Sequence, residues 1–163
     1  MQQFKRVIEK EISEISRLAT RVRNLLKDTA PVPAPVQYRM VMRSLAELNE
    51  RWTDHLEFHS RVTPNVLSVD PRLSAAMRCL DSDGLDIQHK LHLLASADWP
   101  RSAHAGLISI RARIFDVLAA LLKHLRDERE TILPLLRFWT PTKVVAVAPP
   151  LVRAQFIETS VSS

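Results

Sequence analysis

The sequence predicts an all-α protein, an up-down four-helix bundle. Three observations lead there. Apolar residues recur at alternating steps of three and four along the long segments, the spacing of one helix face. Glycine occurs only twice in 163 residues, and the prolines cluster outside the strongly periodic stretches. Apolar residues make up 46% of the chain and charged residues 25%, a balance that fills one core and covers it.

The first helix is expected over residues 2–28. Phe4, Ile8, Glu11, Ile15, Leu18, Val22 and Leu25 form its stripe, with Glu11 as the one charged member. Pro31, Pro33 and Pro35 then make a stiff linker, because proline lacks the amide a helix needs. The second helix is expected over residues 36–62, with Val41, Leu45, Leu48 and Trp52 on its stripe. The same rhythm continues onto His55 and His59, and Pro64 ends or kinks the helix.

Asp70 and Pro71 suit a helix start, as cap and first residue. The third segment, to residue 97, has two readings. Leu73, Met77, Leu80, Gly84, Ile87, Leu91 and Leu94 describe one continuous helix; alternatively Asp81-Ser82-Asp83-Gly84 breaks it. The continuous form leaves His89 and His92 away from the other histidines and puts Met77 or Cys79 level with His124. The broken form lets His89 reach them.

Trp99-Pro100-Arg101-Ser102 is a turn, and the last helix is expected over residues 102–136. Its stripe, Ile110, Ile114, Val117 and Leu121, runs on into His124 and Glu128. From residue 138 onward the chain reads as an irregular tail, extended or partly ordered, leaving residues 1–137 as the bundle domain.

Several classes are set aside by composition. The net charge is +5, but Lys and Arg are interleaved with Asp and Glu in every segment. No dense basic run exists, so these are solvated helix faces and no nucleic-acid partner is expected. A single cysteine, Cys79, rules out an intramolecular disulfide, and its neighbours Met77 and Leu80 suggest an ordinary buried or half-buried thiol. The N-terminal residues are amphipathic and charged, without the apolar centre of a signal peptide. With no apolar run of about 18 residues, no membrane association is expected and a cytoplasmic location is the default. No Gly-rich phosphate loop or nucleophile arrangement marks an enzyme.

The polar residues on the core stripes carry the functional reading. Three helices place metal-capable groups there: Glu11; His55 and His59; His124 and Glu128. Residues four apart share a helix face, so each pair aims at one point. Glu11 lies about 17 residues and His55 about 20 residues from the connection between their helices. At a rise of about 1.5 Å per residue, their levels differ by only about 5 Å. Burying such groups unpartnered costs several kcal/mol. Either an internal hydrogen-bonded network or a bound metal satisfies them, since imidazole and carboxylate are ligands for iron, manganese or zinc.

The segment Leu121-Leu122-Lys123-His124-Leu125-Arg126-Asp127-Glu128, followed by Ile132-Leu133-Pro134, resembles the last helix of hemerythrin-like (HHE) domains. Trp52-Thr53-Asp54-His55-Leu56-Glu57-Phe58-His59 resembles that family's second helix, and Asp86-Ile87-Gln88-His89 the start of its third. The resemblance covers roughly residues 4–137. It implies a four-helix bundle around non-haem iron, usually a di-iron site, that binds dioxygen or nitric oxide or senses iron. It assigns His55, His89, His124 and Glu128 as ligands. His59 stands where the family usually has a bridging Glu, and Glu11 where it usually has a first-helix His. The expectation is therefore an iron protein using His55, His59, His89, His124, Glu128 and Glu11. The alternative is a metal-free bundle acting as a regulatory or interaction module, with a protein partner or a second copy of itself.

Overall fold

The computed structural model describes residues 2–27, 34–69, 74–96 and 103–135. They form four helices: α1 (Gln2–Lys27), α2 (Ala34–Val69), α3 (Ser74–Ser96) and α4 (Ala103–Leu135). No strand occurs among the described residues, so the all-α bundle expected from the periodicity is the observed fold. Each helix packs on its sequence neighbours, α1 closes the ring against α4, and α2 also meets α4 across the centre.

Side-chain links fix the helix directions. Between α1 and α2, Gln37 donates to the Leu25 carbonyl and His55 approaches Glu11, so one chain rises as the other falls. Between α2 and α3, Gln88 donates to Thr53 while His59 approaches Asp81, again antiparallel. Across the centre, Trp52 meets His124 and His59 meets Glu128, so α2 and α4 run parallel. The topology is up-down-up-down. No helix among the described residues is long and apolar enough to cross a membrane.

The core follows the predicted stripes with one rotation. On α1 the buried residues are Ile8, Ile12, Ile15, Leu18, Ala19, Val22 and Leu26. Ile12 rather than Glu11 fills the centre, which leaves Glu11 on the flank of that face. On α2, Val41, Leu45, Leu48 and Trp52 are fully buried. On α3, Met77, Leu80, Gly84, Ile87, Leu91 and Leu94 form one unbroken stripe, so the helix is continuous through Asp81–Gly84. Cys79 is exposed, a correction to the half-buried expectation, because it lies one position off that stripe.

Prolines act differently from expectation in α2. The helix begins at Ala34, so Pro35 sits in its first turn, where an amide donor is not needed. It also continues past Pro64 to Val69. The Thr63 hydroxyl donates to the His59 carbonyl at 3.0 Å, adding a bond beside the place where Pro64 offers none. The linker prolines 31 and 33, the cap at residues 70–71, the turn at 99–102 and the tail from 138 lie outside the described residues.

Candidate metal centre

Among the described residues, the buried polar side chains apart from Ser44 are His55, His59, His124 and Glu128. The helix repeat puts His55 and His59 one turn apart on α2, and His124 and Glu128 one turn apart on α4. Because α2 and α4 run parallel across the bundle centre, the two pairs face each other at the same level.

Glu128 is the hub and is fully buried. It accepts a hydrogen bond from His55 Nε2 at 3.0 Å and another from His59 Nε2 at 2.8 Å, one on each carboxylate oxygen. A carboxylate stands behind each histidine. Glu11 Oε2 lies 3.5 Å from His55 Nδ1, and Asp81 Oδ1 lies 3.9 Å from His59 Nδ1. Both separations suit an ion pair and are long for a hydrogen bond. The row Glu11, His55, Glu128, His59, Asp81 therefore crosses the bundle from α1 to α3, with acid and base alternating.

Trp52 walls the cluster. Its ring lies 5.2 Å from that of His55 and 5.1 Å, edge-on, from that of His124. Its indole N–H donates to the Gly84 carbonyl at 3.1 Å, which satisfies the one polar atom of a wholly buried side chain. Gly84 lies level with His124. A Cβ on Gly84 would stand 3.4 Å from His124 Cε1 and only 2.7 Å from Leu56 Cδ2. The contact with the imidazole would be an ordinary one, so it is the Leu56 methyl to which the absent side chain gives room.

His124 differs from the other two histidines. It is 3% exposed, and neither Nδ1 nor Nε2 has a hydrogen-bond partner. Burial drives its pKa down to about 4 against the pull of the Glu128 charge, with the nearby His59 and His55 adding to the drop. It is thus a neutral imidazole at neutral pH, with a free lone pair. His55 is the opposite case. Burial alone would lower its pKa, but the Glu11 carboxylate beside Nδ1 and the bonded Glu128 carboxylate outweigh that and raise it to about 9. A proton on each ring nitrogen lets it serve both carboxylates. For Glu128, burial would raise the pKa, and the bonds from His55 and His59 overcome it and hold the group near 2.

The structure brings together three of the six candidate ligands at metal-binding range. Ligand atoms of His55, His124 and Glu128 all lie within 4.8 Å of one another, and all three residues are buried. A first-row ion with bonds of about 2.0–2.2 Å needs its donors some 3–4 Å apart, so modest side-chain shifts would close the group. His59 flanks it on the second oxygen of Glu128. Glu11 stands behind His55, where an outer carboxylate orients a ligating imidazole. His89 is not at the cluster: it is exposed, lining a shallow recess with Asn49, Thr53, Leu85, Gln88 and His92. A continuous α3 turns it outward. The side chain of His104 is not among those described.

Asp81, Gly84 and the walling role of Trp52 were not read from the sequence as parts of this site. Asp81 follows from the register, since an antiparallel α3 with Gly84 against Leu56 puts Asp81 at the height of His59. Comparison with family models, with curated proteins and with solved structures gives no match for this chain.

Proposed function

We propose that this chain is a hemerythrin-like metal-binding protein whose central cluster takes one transition-metal cation, iron foremost. The observation that carries the reading is His124, a buried neutral imidazole with no partner for either nitrogen, set beside a second imidazole and a buried carboxylate. Leaving such a group unsatisfied costs about 1–3 kcal/mol, and a cation would remove that penalty. His55, His124 and Glu128 would hold the ion. Two imidazoles and one carboxylate suit iron(II) and leave coordination positions open. The donors suit one ion rather than the pair the family usually holds.

Iron bound there would supply reversible binding of a small ligand, dioxygen or nitric oxide. The protein's own part is to exclude water and fix its ligands. Trp52 walls the centre against the His55 and His124 rings, and Glu11 steadies the His55 ring through Nδ1. Binding at His55 Nε2 also requires that nitrogen to give up its proton. The test is metal content by mass spectrometry on protein expressed with added iron, together with an absorption spectrum in air. About one iron per chain supports the reading. Two, with oxo-bridge bands, would mean that further donors complete a di-iron centre. None would sink it.

One observation favours a second reading, a metal-free regulatory or interaction module. Both oxygens of Glu128 are already bonded by His55 and His59, so most of the cluster is paired without an ion. Thermal unfolding with and without chelator separates the two. An ion present at a hundred times its Kd adds about 2.7 kcal/mol, and an unchanged midpoint favours the module.

A further inference from the structure

We infer that His59 is a gate, latched on its outer side by Asp81, through which a cation reaches the buried cluster from the α2–α3 flank. The inference rests on the metal-binding reading above and adds the route.

The three convergent ligands are at most 3% exposed, so a hydrated ion has no direct access to them. Two flanks lead outward. On the α1 side, Glu11 Oε2 faces His55 Nδ1 and that oxygen is shut off from solvent, although the Glu11 side chain as a whole is 33% exposed. His55 is bonded to Glu128 in front, packed against Trp52 at 5.2 Å, and 1% exposed. A cation arriving there would meet the wrong nitrogen of a ring that has nowhere to turn.

The α3 side differs at the histidine. His59 is the least buried of the four, at 6%, and among the described residues no tryptophan ring is paired with it as Trp52 is with His55 and His124. Its nearest described aromatic neighbour is the His55 ring at 5.1 Å. Its Nε2 holds Glu128 Oε1 at 2.8 Å, and its Nδ1 stands 3.9 Å from an Asp81 whose side chain is 42% exposed. One side chain thus has an inner partner in bonding contact and an outer partner about an ångström beyond it. An outward swing trades the first for the second. It uncovers an oxygen of Glu128, the ligand nearest that opening, while the Asp81 carboxylate stands in solvent to attract the cation. The ion would pass from Asp81 to Glu128 and then to His55 and His124, and His59 would close behind it.

A latch that the bound ion does not touch changes rates and not affinity. The test is stopped-flow mixing of the full chain with Zn2+ or Co2+, read by tryptophan fluorescence, with Kd measured separately by competition with a chromophoric chelator. In Asp81→Asn, association and dissociation should slow together, by about tenfold at low salt, with Kd unchanged. In His59→Ala, both should quicken together. The inference is overturned if Asp81→Asn matches the parent in both rates, or if it weakens Kd without slowing association. It is also overturned if His59→Ala raises only the dissociation rate, which would make His59 a ligand. If the parent protein binds neither ion, the metal-binding reading itself has failed, a result separate from all of these.

Discussion

Replacing His124 by Leu should make the metal-free protein more stable, and the size of the effect follows from its surroundings. The imidazole is buried with both nitrogens unpartnered, and all such penalties act on the folded state alone. Removing an unsatisfied buried polar group returns about 1–3 kcal/mol. Leucine is also the better helix former, by a few tenths of a kcal/mol. Against this stands the edge-on contact with Trp52 at 5.1 Å, worth about 0.5–1.5 kcal/mol. Leucine is close in volume and joins Leu121 and Leu125, so no large cavity opens. The net expectation is a gain of about 1 kcal/mol, or roughly 4 °C in Tm for a domain of this size. Thermal unfolding followed by circular dichroism in excess chelator measures it. The same variant should gain nothing from added metal, where the parent gains. A clear loss of stability in chelator would refute the reasoning, because it would show that His124 is satisfied in the metal-free state.

Other predictions follow from the same network. Metal-free protein should be most stable near pH 6.5. His55, raised to about 9, contributes stability that is full below its unfolded value of 6.5 and is lost as pH rises through 9. His124, lowered to about 4, works the other way: its unfolded form takes up protons first, so stability falls as pH drops from 6.5 toward 4. Urea unfolding across pH 4–10 checks both limbs, and His124→Leu should flatten the acid one. Glu128→Gln should cost about 3 kcal/mol in urea unfolding, because it leaves a buried His55 cation with only Glu11 as counter-charge. Gly84→Val should cost about 2 kcal/mol by the same measure, since even a Cβ there meets Leu56 at 2.7 Å. If Gly84→Val is neutral, the site is looser than its geometry implies.

The fold was legible because helical periodicity reports the buried face directly, and α3 kept that rhythm through Asp81–Gly84 despite a composition that resembles a break. The pairs on α2 and α4 were legible for the same reason: His55, His59, His124 and Glu128 continue apolar stripes, and all four are buried. Glu11 shows the limit. A 4-3 rhythm through Ile8, Glu11 and Ile15 fits as well as one through Ile8, Ile12 and Ile15, and sequence spacing does not choose between faces about 100° apart. The first puts a carboxylate among the ligands; the second, which the chain adopts, puts it behind one. Register was the other limit. Equal hairpin arms placed Met77 or Cys79 level with His124, whereas Gly84 stands there. Gly84 is 12 residues from the end of α3 and His124 is 21 from the start of α4, so the arms are unequal. Asp81 depends on that register and was missed with it.

The two functional readings differ over one residue. Every other titratable group in the centre has a partner of opposite charge in reach: Glu128 is bonded by two imidazoles, His55 bonds Glu128 and lies 3.5 Å from Glu11 without a hydrogen bond, and His59 bonds Glu128 with Asp81 3.9 Å away. A metal-free core gains no net stability from His124, since its contact with Trp52 does not offset two unpartnered nitrogens, and the stripe of Ile114, Val117 and Leu121 leading to it offers an apolar residue as the simple choice. Opposite it stands Gly84, which weakens a helix interior by roughly 0.5–1 kcal/mol relative to alanine. The two suboptimal residues lie on different helices, yet they meet, with the Gly84 Cβ position 3.4 Å from the His124 ring. Independent losses of stability have no reason to fall at one point. Where local rules are broken together, the place is expected to be a functional site. Here the break leaves an unprotonated imidazole with the free lone pair that a cation requires.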